Sequence, residues 1–199
     1  MAKRIFDLVS AALGLLLLAP LLLVIALWIR LDSPGPVFFR QQRIGRFGVP
    51  FRIHKFRTMV AGAPALGPAI TVGADARITR AGRRLRVARL DELPQLIDVL
   101  QGTMSLVGPR PELPRYVALY PPALRERVLG VRPGITDLAS IEFRDEGALL
   151  ARAADAEREY VEVVLPAKLR VSADYIVHAN LGTDLCVIGL TLKALLLRR

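Results

Sequence analysis

The sequence predicts an α/β, mostly helical, monotopic membrane protein: a re-entrant helix–break–helix over residues 1–32 and a compact domain with a small β-hairpin over 33–199. Three observations carry this expectation. Residues 8–29 form an uncharged run of 22 residues with Pro20 near its middle. Positive charge flanks that run on both sides, with Lys3 and Arg4 before it and Arg30, Arg40, Arg43 and Arg46 after it. Beyond it, short extended and helical patterns alternate over a length sufficient to bury one core.

A straight helix over 8–29 would cover about 33 Å, enough for the hydrocarbon core of a bilayer. Pro20 removes a backbone hydrogen bond and favours a break there, at Ala19-Pro20. The positive-inside bias draws both flanks to the cytoplasm, which a single crossing cannot satisfy and a re-entrant segment can. A kinked span is the alternative reading. A cleaved signal peptide fits less well, because the apolar run exceeds the usual ~7–15 residues and no A-x-A site ends it.

Charge divides the chain. Residues 1–90 hold 15 Lys/Arg and three acids (Asp7, Asp32, Asp75), a net of +12, whereas 91–199 hold 13 Lys/Arg and 15 acids, a net of −2. The basic half therefore faces polyanions: anionic lipid, phosphorylated substrates or nucleic acid. One cysteine, Cys186, excludes an internal disulfide framework and fits a reducing compartment, and two histidines leave little for a His-based metal site or triad. Carboxylates, arginines and a hard metal are what remain for chemistry.

Along the compact part, Pro34-Gly35-Pro36 closes the apolar segment as a rigid turn. Residues 37–39 and 51–56 read as strands of a hairpin turning at Gly45-Arg46-Phe47-Gly48, and 61–74 as a loop. Leu93, Leu96, Ile97 and Leu100 recur at helical spacing, and Pro94 restricts the helix start to about Asp91 or Glu92. Further helices are expected over 122–128, 151–160 and 185–197, the last one apolar or interfacial.

Three groups of residues could carry chemistry. Asp91 and Glu92 at a helix start are favoured in their ionised form by the helix dipole and by upstream arginines. An ionised carboxylate is a competent nucleophile toward phosphorus once cations neutralise the phosphate. The same pair could instead be an exposed cap. Arg110, between Pro109 and Pro111, is a rigidly presented guanidinium suited to a phosphate, or else a structural arginine paired with Glu112. Arg132 precedes a similar Pro-Gly turn. Lys55 and Arg57, near a strand end, add cations, with a basic membrane-facing surface as their alternative.

Seven stretches together resemble the bacterial sugar transferase family, the small monotopic phosphoglycosyl transferases. They are Lys3-Arg-Ile-Phe-Asp7, Ser33-Pro-Gly-Pro-Val-Phe-Phe39, Gln42-Arg-Ile-Gly45, Lys55-Phe-Arg-Thr-Met59, Leu90-Asp-Glu-Leu-Pro-Gln95, Met104-Ser-Leu-Val-Gly-Pro-Arg-Pro111 and Val131-Arg-Pro-Gly-Ile-Thr136. They follow the family's order and spacing through residue 136. The resemblance implies a membrane helix over 1–32, broken at Ala19-Pro20, and a cytoplasmic catalytic domain with interfacial helices over 33–199. It implies that Asp91 attacks the β-phosphate of a UDP-sugar, releasing UMP and leaving an aspartyl-phosphosugar, which undecaprenyl phosphate then accepts. Glu92 would hold Mg2+ with Asp91 or handle protonation. Arg110 matches the family's phosphate-contacting position, with Arg132, Arg144, Lys55 and Arg57 as further substrate-binding candidates.

The implied location is the cytoplasmic face of a bacterial inner membrane, against an anionic bilayer, with monomer and homodimer both open. After Thr136 the chain leaves the family's common Gly-Trp-Ala-Gln-Val-Asn-Gly-Arg-Asn and reads Asp137-Leu-Ala-Ser-Ile-Glu-Phe-Arg-Asp145, so residues 137–145 are candidates for sugar discrimination, with Glu142 near the sugar. A nucleic-acid-binding protein is a rival permitted by the charge, but there is no helix-turn-helix signature or aromatic array, so no nucleic acid is expected. A non-catalytic basic membrane adaptor is the other rival.

Overall fold

Helix α1 (Ala2–Asp32) is laid along the rest of the protein instead of projecting from it. The computed structural model describes residues 1–67, 70–71 and 75–197. At about 46 Å, α1 is the longest element, and by length and composition it could cross a membrane. Its N-terminal end is tied down by Asp7, which accepts hydrogen bonds from Ser105 Oγ (2.8 Å) and Leu106 N (3.2 Å). Its middle places Ala11, Leu15 and Leu18 against Leu96, Val99 and Met104. Its C-terminal end packs Leu22, Ile25 and Ile29 on Phe56 and Leu85. The opposite side, from Ile5 and Val9 through Leu16, Leu23 and Leu27 to Leu31, is an exposed apolar stripe.

The expected break is not seen in the backbone: α1 is one continuous helix through Ala19 and Pro20. Pro20 is exposed, and the turns on either side of it are packed on two different core clusters, which hold the helix course across the missing hydrogen bond.

Strands β1 (Phe38–Ile44) and β2 (Pro50–Phe56) form the expected antiparallel hairpin, with Phe38 opposite Phe56 and Ile44 opposite Pro50. Helix α2 (Arg80–Val87) starts at a Thr79 cap, and the backbone N–H of its Ala81 donates to Asp32 at the end of α1. Helix α3 (Gln95–Gln101) follows a single 3-10 turn, Leu90–Glu92. The anticipated apolar face of α3 is only partly correct. Leu96 and Val99 are buried with Gln95 and Asp98, while Leu100 is exposed. Asp98 turns inward because His54 on β2 meets it, through the ring Nδ1 at 2.7 Å and the backbone N–H at 2.8 Å.

Strand β3 (Ser105–Val107) pairs in parallel with β4 (Gly134–Thr136), a sheet not anticipated from the sequence pattern. Between them lie α4 (Pro114–Val117) and α5 (Pro122–Leu129). The two motifs that carry Arg110 and Arg132 cross here, backbone against backbone. A Cβ on Gly134 would sit 2.1 Å from Gly108 N, and one on Gly108 would sit 2.5 Å from Arg132 O, so both positions need glycine. The rest is helical: α6 (Leu138–Glu142), α7 (Glu146–Leu150), α8 (Ala156–Glu159), a π turn (Tyr160–Val164), α9 (Leu165–Val177) and α10 (Leu181–Leu196). Of the helix expected over 151–160, residues 151–155 form turns and only 156–160 are helical, opening a longer rod whose core face is supplied by Tyr160, Val164, Leu165 and Leu169. Near the end of the chain, α10 is moored to α1 by Asp184, which accepts from both Lys3 and Tyr175.

Candidate active site

Asp91 and Glu92 occupy the 3-10 turn, 1% and 6% exposed, so they are not exposed helix caps. The preceding Arg89 adopts a left-handed backbone (φ 56°), a costly conformation for a side-chain-bearing residue. That turn swings both acids inward. Lys55, at the end of β2, places Nζ 2.8 Å from Asp91 Oδ2 and 3.3 Å from Glu92 Oε1. Asp91 Oδ1 is buried and has no hydrogen-bond partner among the described residues.

Glu92 has a different environment. Arg110 grips it in two-pronged fashion, Nη1 to Oε2 at 3.1 Å and Nη2 to Oε1. Burial opposes the charge on Glu92, but Arg110, Lys55 and Arg89 outweigh it and hold the carboxyl well below the usual range. In return, the Glu92 charge holds Arg110 protonated. Arg110 thus pairs with an acid, as the alternative reading expected, but the acid is Glu92 and not Glu112. Its backbone N–H donates to Asp137 Oδ2 (3.3 Å), whose other oxygen caps α6 at Ser140 N (2.8 Å). Asp137 therefore positions Arg110 from below.

Two cavities meet at this ion pair. One, about 360 Å³, is polar: Arg43, Lys55, Arg86, Arg89, Arg110, Arg144 and Lys168 line it with Asp91, Glu92, Glu112 and Glu146. Tyr160, on its wall, donates to Glu112 (2.7 Å). The other, about 440 Å³, is apolar and runs between α1, α6 and α10. Arg89, Glu92, Arg110, Ser140 and Arg144 line both.

A family model for bacterial sugar transferases matches residues 1–198. The chain belongs to the bacterial sugar transferase family. Among the relatives of this transferase is "UDP-glucose:undecaprenyl-phosphate glucose-1-phosphate transferase" of Caulobacter vibrioides, 42% identical over 196 residues that cover 98% of this chain and 69% of the relative. The "UDP-N-acetylgalactosamine-undecaprenyl-phosphate N-acetylgalactosaminephosphotransferase" of Aeromonas hydrophila is 36% identical over 98% of this chain and 43% of its own length. The "Undecaprenyl-phosphate glucose phosphotransferase" of Komagataeibacter xylinus is 42% identical over 96% of this chain and 35% of its own length. This transferase thus corresponds to about two thirds of the first and less than half of the other two.

The structure gathers Asp91, Glu92, Lys55, Arg110 and Arg144 but not the other candidates. Arg57, 4% exposed, is absorbed by backbone: it donates to the carbonyls of Ser33, Pro34, Pro36 and, at 3.4 Å, Ile29. It clamps the end of α1, which is why its motif lies beside the Pro-Gly-Pro turn. Arg132 Nε donates to Gly102 O (2.8 Å) and lines neither cavity. Glu142 is exposed and also outside both, whereas Phe143 and Arg144 line the polar one. Within residues 137–145, Asp137 caps the short helix α6 and residues 143–145 form a turn. Sequence reasoning missed Arg43, Glu112, Ser140, Glu146 and Lys168 as cavity residues. Of these, Arg43 and Ser140 lay inside stretches already singled out and Glu112 adjoined one, whereas Glu146 and Lys168 lay in none.

Proposed function

We propose that this transferase moves a sugar 1-phosphate from a UDP-sugar to undecaprenyl phosphate, with Asp91 as the covalent nucleophile. The observation that carries the reading is Asp91 itself: one carboxylate oxygen held by Lys55, the other buried, unpartnered and on the floor of a cation-lined cavity. A buried acceptor without a donor is costly to keep, of order 1–3 kcal/mol, and such groups mark sites built for something else to bind. All three relatives' names give undecaprenyl phosphate, and two of them also name a UDP-sugar.

In the first step an Asp91 oxygen bonds to the β-phosphorus and the bond from that phosphorus to the bridging oxygen breaks, so UMP leaves with the electron pair. Lys55 holds the carboxylate in line, and the surrounding arginines offset the charge of the diphosphate. In the second step an oxygen of the lipid phosphate attacks the same phosphorus and Asp91 departs as carboxylate. With a dianionic acceptor, neither step requires a proton from the protein. Asp91 and Glu92 are the carboxylates that would hold Mg2+, and no group of three or more potential ligands occurs among the described residues. That fits an ion that takes one or two carboxylates and completes its shell with substrate phosphates and water. When bound, it would neutralise phosphate charge.

The membrane arrangement belongs to the same proposal. Both ends and the middle of α1 contact one domain, and its outer stripe is apolar. A helix so attached stays on the side of its domain, immersed in one leaflet at the cytoplasmic face, and Pro20 lies in the immersed part. Cysteines placed near Lys3 and near Arg40 should be equally protected from an impermeant reagent outside the cell; labelling of the first alone would establish a crossing. The function is tested by incubating a panel of UDP-sugars with enzyme, Mg2+ and undecaprenyl phosphate and measuring UMP release. No UMP from any sugar would overturn it.

A further inference from the structure

The apolar cavity has no role in donor chemistry. Phe6 and Ser10 of α1 form one wall, Leu185, Ile188 and Ala194 of α10 the other, and Ile141 of α6 lies between them. At one end it is lined by three cations, Arg89, Arg110 and Arg144, and one acid, Glu92; Arg110 and Arg89 (3.9 Å) both face Glu92, and Arg144 meets the exposed Asp145 at 3.4 Å. An apolar trough ending in net positive charge selects an amphiphile with an anionic head; a nucleotide, polar throughout, would leave its polar groups unpaired there. Ser140 Oγ, buried and without a hydrogen-bond partner among the described residues, belongs to a residue that lines both this cavity and the polar one. At the outer edge, Val9 and Leu13 of α1 and Leu185 and Leu192 of α10 are exposed, so the two walls continue as apolar surface.

We infer that this trough seats the first isoprene units of the polyprenyl acceptor, with its phosphate between Ser140, Arg89 and Arg144. Displacement in line at both steps requires the acceptor oxygen to take the position that UMP vacates, so the trough delivers the lipid phosphate past the Glu92–Arg110 pair to that position. The pair forms a partition: Asp91 lines only the polar side, and the five residues common to both cavities are where the lipid phosphate meets the phosphosugar. This inference rests on the two-step reading above, and the two can fail separately.

The test narrows the trough from each wall, with Ser10→Phe and Ala194→Phe. In a single turnover with UDP-sugar and no acceptor, UMP release by both variants should match the unsubstituted enzyme. In the full reaction their KM for undecaprenyl phosphate should rise about tenfold, as expected when a few methylene groups lose their burial. Binding is read independently with Ala194→Cys in a Cys186→Ser background, since the native cysteine is exposed. Farnesyl phosphate, a short polyprenyl phosphate, should slow maleimide labelling at that position, and inorganic phosphate should not. An unchanged acceptor KM together with absent protection overturns the trough assignment while the two-step reading stands. Equal protection by palmitate overturns its assignment to polyprenyl phosphate. If the unsubstituted enzyme releases no UMP without acceptor, the two-step reading itself fails.

Discussion

Two arginine-rich regions of this transferase look alike in sequence and behave differently in the fold. Around the end of α1, Arg57 is surrounded by carbonyl oxygens and lines neither of the two cavities. Around the 3-10 turn, Arg110 meets a carboxylate and opens on two cavities. Carbonyls are fixed, neutral and already part of the scaffold, so an arginine that satisfies them is a clamp. A carboxylate beside empty space leaves the guanidinium able to exchange one anion for another. What marks a functional arginine is therefore the kind of oxygen it meets and the space next to it, not its density in the chain.

The comparison can be broken most decisively at the acid between the cations. Asp91→Asn should lower turnover by about 10⁴-fold or more, as removal of a nucleophile does, with an unchanged circular dichroism spectrum. Mass spectrometry of the unsubstituted enzyme with UDP-sugar and no acceptor should place the adduct on Asp91; an active Asp91→Asn enzyme would remove the basis of the comparison.

Arg110→Ala should reduce kcat/KM for the donor by about 2–4 kcal/mol in transition-state terms and also destabilise the protein, since Glu92 is left buried without its main partner. Adding Glu92→Gln should restore stability but not activity. If stability and activity recover together, Arg110 is a clamp like Arg57.

Arg57→Ala should do the reverse. Losing several charge-assisted bonds to carbonyls should cost about 2–4 kcal/mol of stability, read by denaturant titration, with kcat and KM per folded molecule preserved. A selective rise in the donor KM would return Arg57 to the substrate-binding group.

The smallest effect is a pH dependence. The Glu92 carboxyl is held below its unfolded value, about 4.3, so its stabilisation is fully present above that pH and is lost as pH falls through the folded value. The unfolding free energy should thus decline as pH drops from about 5, and more gently in Glu92→Gln. Equal slopes would mean that Arg110 and Lys55 do not act on Glu92 in solution.

Much of the site was legible because its residues are close in sequence or fixed by punctuation. Asp91 and Glu92 are adjacent, Arg110 is bracketed by prolines, and Lys55 ends a strand whose alternation is plain. The partners of Arg57 and Arg132 were not legible for a reason common to both: they are backbone carbonyls at 29–36 and at 102, and carbonyls carry no sequence signature. The wall residues Lys168 and Glu146 were invisible because each lies on a helix whose cavity-facing side is set only by packing, whereas Ser140 lay within the already singled-out residues 137–145.

By itself the sequence determined the long apolar helix, the β1–β2 hairpin, the charge division, the acid pair and the family pattern, all properties of local chemistry and spacing. Tertiary structure decided that Pro20 does not interrupt α1, because core clusters on both sides hold its course. It also decided that Gly108 and Gly134 bring two arginine motifs back to back and send their side chains to different tasks. Finally, it placed a polar cavity and an apolar trough on either side of one ion pair. Such decisions depend on which distant surfaces meet, and the free energy of that burial is shared among residues whose order along the chain does not reveal it.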